Sequence, residues 1–107
     1  MPRTVAAVPT GERAFEGAEP LLEDLDHANE ALASLAQLAS VDEASLARAG
    51  GWTARIDFGG TIVLARGDGA RWSLLAPPGA DPADAMLAAR KLHALLGERD
   101  PGWDLDR

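Results

Sequence analysis

The sequence predicts an α+β domain. It reads as a three-stranded antiparallel meander with helices packed on one face, in the order (β)-α-α-β-β-β-α, the bracketed N-terminal strand being left open. Three observations carry this. Apolar and polar residues alternate over Trp52–Phe58, as in a half-buried strand. Gly59-Gly60 and Gly67-Asp68-Gly69 fall where hairpin turns would join three such strands. Leucine and alanine recur at spacings of three and four on either side of the meander, which is a helical period.

Residues 1–19 mix Ala, Gly, Pro and charge and read as an arm. Within it, Thr4–Val8 is either a short strand, with Val5 and Val8 β-branched and Pro9 closing the run, or flexible chain. A first helix is expected from just after Glu19 to Ala39. Pro20 suits the first helical turn, and Glu23, Asp24 and Asp26 suit the positive end of its dipole. Leu21, Leu25, Ala28, Leu32, Leu35 and Ala39 form its stripe, widened by Leu22, Ala36 and Leu38. Packing on a sheet fits this stripe better than a coiled coil, because Ala28 and Ala39 weaken the seam. Ser40-Val41-Asp42-Glu43 resembles a capping box that opens a short helix to about Ala49, stopped by Gly50-Gly51.

In the meander, Trp52, Ala54, Ile56 and Phe58 share one face of the first strand. The second strand, Thr61–Arg66, has Ile62 and Leu64 on one face; the third, Arg71–Ala76, has Trp72 and Leu74 inward. Pro77-Pro78-Gly79 ends the sheet. Asp81 is the expected N-cap of the last helix and Pro82 its first residue, with Ala85, Met86, Ala89, Leu92, Leu95 and Leu96 as its apolar face and Gly97 as its C-cap. One α+β domain therefore spans 20–97. Residues 98–107 form an acidic tail whose Trp103 and Leu105 either fold back on the sheet or bind a partner.

A chain of 107 residues supports one domain. Its net charge of −7, from 17 acidic and 10 basic side chains, opposes direct binding to a phosphate backbone. No Cys is present, so neither a disulfide nor a thiolate metal site can form. The apolar runs are too short to span a membrane, and Met1–Pro9 does not read as a signal peptide. A cytoplasmic location is the expectation.

Chemistry is scarce. Asp57-Phe58-Gly59 spells the kinase metal-binding tripeptide, but the other parts of a phosphoryl-transfer site are missing from the sequence, and a strand end before a turn explains it. The glycine turns carry no P-loop lysine. Glu23, His27 and Glu30 would share a face of the first helix, where a solvated polar face competes with a metal triad and is preferred. His93 suits the negative end of the last helix. No catalytic, cofactor or metal residue is assigned, and the chain is expected not to be an enzyme. The residues expected to make contacts, in self-association or in the core, are Leu21, Leu25, Leu32, Leu35, Ile56 and Phe58, with Trp103 and Leu105 in the tail.

The helix Leu21–Ala39, the strands Thr53–Phe58, Thr61–Arg66 and Arg71–Ala76, and the ending Ala76-Pro77-Pro78-Gly79-Ala80-Asp81 leading into Pro82–Leu92 together resemble the later part of the Roadblock/dynein light-chain family. The likeness covers about two-thirds of the chain and rests on pattern. The family's opening helix and strand have no counterpart ahead of Thr4, and Thr4–Val8 would stand in for its second strand. The resemblance implies a homodimer built from the first helix and first meander strand, with a regulatory or adaptor role beside a small GTPase or a larger scaffold. It carries over no catalytic residue. The competing expectation is a small acidic inhibitor or decoy that blocks a basic site on an enzyme or nucleic-acid-binding protein. That reading requires Glu23, Asp24, Asp26, Glu30, Asp42 and Glu43 to gather on one face.

Overall fold

Side-chain alternation along the central strands builds an antiparallel sheet, and the helices pack against one of its faces. A computed structural model describes residues 5–48, 50–68 and 70–99, without the side chains of 98 and 99. The elements are β1 (Val5–Val8), a 3-10 turn (Glu12–Phe15), β2 (Glu19–Asp26), α1 (Ala28–Ala39), α2 (Glu43–Leu46), β3 (Ala47–Arg48), β4 (Gly51–Phe58), β5 (Thr61–Asp68), β6 (Arg71–Ala76) and α3 (Pro82–Arg99). The α+β class and the meander are as the sequence predicts. The sheet is larger, with six strands in the order β1-β4-β5-β6-β2 and β3 paired to β4.

Every pairing is antiparallel. Ile56 lies opposite Val63, and Ala54 opposite Ala65, so these four residues define the face that meets the helices. Ile62 and Leu64 do share a face of β5, but it is the opposite one. Trp72 and Leu74 point to the helix side with Trp52, Ile56 and Phe58. Small residues on the helices (Ala28, Ala31, Ala85, Ala88 and Ala89) are buried there and let the helix backbones lie close to the sheet. Leu35, Leu92 and Leu96 fill the remaining space.

The first helix is corrected. Residues 19–26 form β2, paired to β6, and α1 begins only at Ala28. Two register shifts hide this strand from a search for alternation. Leu22 and Leu25 are three apart in sequence, yet they lie opposite Leu74 and Trp72, which are two apart. The inserted residue is accommodated by a bulge, with Asp24 at φ 55°. The spacing of Leu21 and Leu25 that imitates a helix is a consequence of the bulges. Pairing along β6 nonetheless makes this stretch an edge strand, its ladder interrupted at the two shifts.

Three smaller corrections follow. Ser40 is the left-handed C-cap of α1, its N–H bonding back toward the carbonyls of Ala36 and Gln37; Asp42 is the N-cap of α2, accepting from Ala44 N at 3.1 Å. The short helix ends at Leu46 and gives way to β3. Gly97 lies within α3, which continues to Arg99. By contrast, Asp81 caps α3 as expected, accepting from Ala83 N at 2.9 Å. Of the two readings of Thr4–Val8, the strand is the one observed, over Val5–Val8.

β1 and β2 are consecutive strands at opposite edges of the sheet. Residues 9–18 must therefore cross about four strand spacings, about 19 Å. They do so as a strap on the face away from the helices. Thr53 Oγ1 and the Arg48 guanidinium both donate to the carbonyl of Thr10. Arg66 pairs with Glu12 at 3.5 Å and lies over the Phe15 ring, 5.0 Å from its centroid. Gly17 runs beside Pro78.

Candidate functional site

Three of the clefts lined by described residues differ in their chemistry. The first, of about 410 Å³, opens at the strap end of the sheet between Glu12, Arg48, Thr53, Arg66 and Asp68. Three of its four charged side chains are engaged. Arg66 is paired with Glu12, and Arg48 donates to the carbonyls of Ala47 and Thr10. This cleft is a polar clasp on the strap.

The second cleft lies around Pro77–Asp81 and the β4–β5 hairpin. Two carboxylates near it, Asp57 and Asp81, serve the backbone. Asp57 Oδ1 accepts from Gly60 N at 2.8 Å and holds the hairpin turn, in which Gly59 and Gly60 both have positive φ. Asp57-Phe58-Gly59 is thus turn chemistry. Asp81 Oδ1 is committed to the first turn of α3.

The third cleft, of about 240 Å³, lies between the β4–β5 hairpin and α3. Its walls are Phe58, Gly59 and Thr61 from the hairpin and Asp84, Leu87, Ala88 and Lys91 from α3. Phe58 and Ala88 are buried and give an apolar wall. Leu87, on the lip, is 54% exposed, the largest exposure among the big apolar side chains described. Asp84 and Lys91 stand exposed on either side of it, and neither has an ion-pair partner among the described residues. Sequence reading missed this trio because Leu87 falls outside the stripe of Ala85, Ala89, Leu92 and Leu96. That offset is the signal: a leucine on the polar side of an amphipathic helix, between opposite charges at i−3 and i+4.

Of the two roles expected for the contact residues, self-association or core, the fold shows the core one for six of them. Leu35, Ile56 and Phe58 are buried in the core of a single copy. Leu21, Leu25 and Leu32 are half-buried and pack against that core. Trp103 and Leu105 lie outside the described residues. Glu23, His27 and Glu30 do not share a helical face, since Glu23 is on β2 and His27 is the left-handed residue before α1. Of the six acidic residues expected to gather, Glu23, Asp24 and Asp26 lie on the β2 edge and Glu30 in the first turn of α1; Asp42 and Glu43 open α2, beyond the far end of α1.

His93 is not a helix-end residue. It is half-buried and stacks on Trp72 at 5.8 Å between ring centroids, with 30° between planes. Burial pushes its pKa below the ordinary 6.5. Trp72 in turn lies 6.1 Å from Trp52 and donates its Nε1–H to the carbonyl of Asp26 at 2.9 Å. The three rings form a packed row inside the domain, as burial of both tryptophans in the meander core predicts.

No family model matches the chain, and no curated protein or solved structure matches it. None of the described helices is long and apolar enough to cross a membrane.

Proposed function

We propose that the chain is a non-enzymatic, protein-binding regulatory domain, Roadblock-like in its helix–meander–helix build, and that it works as a homodimer beside a larger protein partner such as a small GTPase or a scaffold. The observation that carries this reading is the cleft over Phe58. It combines an apolar wall, an exposed leucine and one charge of each sign, which is the makeup of a contact surface. Among the described residues around it, no nucleophile is paired with a base. The α3 cleft is taken as the contact face in place of the first helix and first meander strand, because Leu35 and Ile56 are wholly taken up by the core, whereas Phe58 also borders the cleft.

The test is solution mass by light scattering across protein concentration at about 0.15 M salt, where the mutual repulsion of two copies carrying −7 each is screened beyond about 8 Å. A rise from 11.2 kDa toward twice that value supports self-association. A constant 11.2 kDa up to millimolar protein removes it.

A second reading has one observation behind it. The β2 edge exposes Glu19, Glu23, Asp24 and Asp26, of which only Asp26 is ion-paired among the described residues, with Arg71 at 3.0 Å. Such an edge fits an acidic decoy for a basic protein surface. It also fits protection of an edge strand against pairing with another chain, as do Pro20 and the bulges. Binding to a polybasic protein that weakens steeply with salt supports the decoy; salt-insensitive binding removes it.

A further inference from the structure

Helix α3 carries Asp84, Leu87 and Lys91 at i, i+3 and i+7, so the three lie along one side of the helix. That side borders the cleft, and all three side chains are exposed. The order along the axis is negative, apolar, positive. Reversing the helix turns this into positive, apolar, negative. Two copies of α3 laid antiparallel, crossing between positions 87 and 88, therefore bring each Asp84 to the partner's Lys91 and bring the two Leu87 residues together at the axis. The stripe is complementary to itself in one orientation alone. In a parallel pairing, Asp84 would meet Asp84 and Lys91 would meet Lys91.

The cleft supplies the matching shape. Leu87 is a projecting apolar side chain, and beside it on the same surface is a recess walled by Phe58, Thr61 and Ala88. An isologous contact needs a projection and a recess that both lie next to the two-fold axis, so that residue i meets residue j and j meets i. Both conditions are met here by neighbouring residues of one chain.

We infer that α3 is the dimer interface of this protein, and that its occupant is the α3 of a second copy, antiparallel, with Leu87 of each copy in the Phe58 recess of the other. The inference rests on the self-associating reading above and assigns it a face. One helix side with a single leucine buries less than a standard interface. The dimer is accordingly weak, with a dissociation constant of about 10 µM or higher.

Sedimentation of the full chain from about 10 µM to about 1 mM tests this with four variants. Leu87→Glu abolishes the dimer. Asp84→Lys and Lys91→Asp each weaken it about tenfold, since the two-fold axis repeats each repulsion twice. The double variant, Asp84→Lys with Lys91→Asp, restores it, because the exchanged charges still meet in the antiparallel arrangement. An equimolar mixture of the two single variants forms a heterodimer more readily than either forms a homodimer. All these positions are exposed, and circular dichroism and melting temperature read whether each variant is folded. A wild-type dimer that persists in Leu87→Glu, or a double variant no better than the singles, overturns the α3 interface and leaves self-association standing through another face. A wild type that is monomeric throughout overturns both.

Discussion

On the helix side of the sheet, Trp52, Trp72, Ile56, Val63 and Leu74 are sealed by α1 and α3. On the other side, Leu64 and Leu75 are also buried, but the chain that crosses there is a ten-residue strap held by two bonds to one carbonyl, one long ion pair and one phenyl ring under a guanidinium. The two faces cover similar side chains by different means. Helices bring regular apolar stripes and exclude water over a wide area. A strap brings little apolar surface of its own and depends on polar contacts exposed to solvent, which are individually weak. Stability is therefore concentrated on the helix side, and the strap side belongs among the parts of the molecule that open first.

The largest test of this contrast is Trp72→Ala. It removes a fully buried ring that packs tilted on Trp52 and stacks on His93, and the donor to the Asp26 carbonyl. The expected loss is about 3–5 kcal/mol, a large part of the stability of a domain this size. Urea unfolding of the variant should show a midpoint close to zero denaturant or no folded baseline. A loss below about 1 kcal/mol would mean that the helix face is not the main store of stability.

Next in size is Gly67→Ala. Gly67 is not a turn residue, as its sequence context suggests, but a strand residue opposite Trp52. A Cβ there would sit 2.1 Å from Trp52 Nε1, so the indole must move. The loss expected from such overpacking is about 1–3 kcal/mol, with a changed near-ultraviolet spectrum because the Trp52–Trp72 pair is disturbed. The exposed hairpin position offers a comparison. Gly60→Ala meets no atom within 4 Å and is strained only by its positive φ of 96°. It should lower stability and leave the tryptophan spectrum unchanged.

On the strap, effects should be smaller but differently distributed. Glu12→Gln removes an exposed ion pair and should cost well under about 1 kcal/mol. Phe15→Ala removes the one aromatic contact and should cost about 1 kcal/mol. Its clearer effect is on hydrogen exchange: amides of residues 10–18 should exchange faster while those of β4, β5 and β6 keep their protection. Faster exchange in the central strands as well would show that strap and sheet open as one unit, and the contrast between the faces would fail.

The same contrast explains what the sequence disclosed. The meander was legible because β4, β5 and β6 alternate and their turns are glycine-rich, and the Asp81-Pro82 start of α3 is a local signal. β2 was hidden by its bulges, which erase the alternation that marks a strand. The strap was invisible because its contacts join Thr10 to Thr53 and Glu12 to Arg66, more than forty residues apart. The contact surface was only partly legible. A stripe search selects the leucines that the fold buries, such as Leu35, and passes over Leu87, whose interest lies in being off the stripe.

The subtlest expectation concerns pH, and it tests the helix side through His93. Burial lowers its folded pKa below 6.5, so the unfolded chain binds the proton more tightly than the folded one. Between the folded and unfolded pKa values the unfolded state then carries more protons, and stability rises with pH. The contribution is fully present above 6.5 and is lost as pH falls through that value toward the lower, folded one. His93 therefore adds to the slope in a window just below neutrality. Melting temperatures of the wild type should fall from about pH 7.5 to about pH 5.5, and His93→Asn should fall less over the same range. A parallel fall in both proteins would mean that the imidazole is hydrated in the folded state. The ring stacked on Trp72 would then belong to the rim of the helix layer, where water reaches it, and the sealed region would end at Trp72 itself.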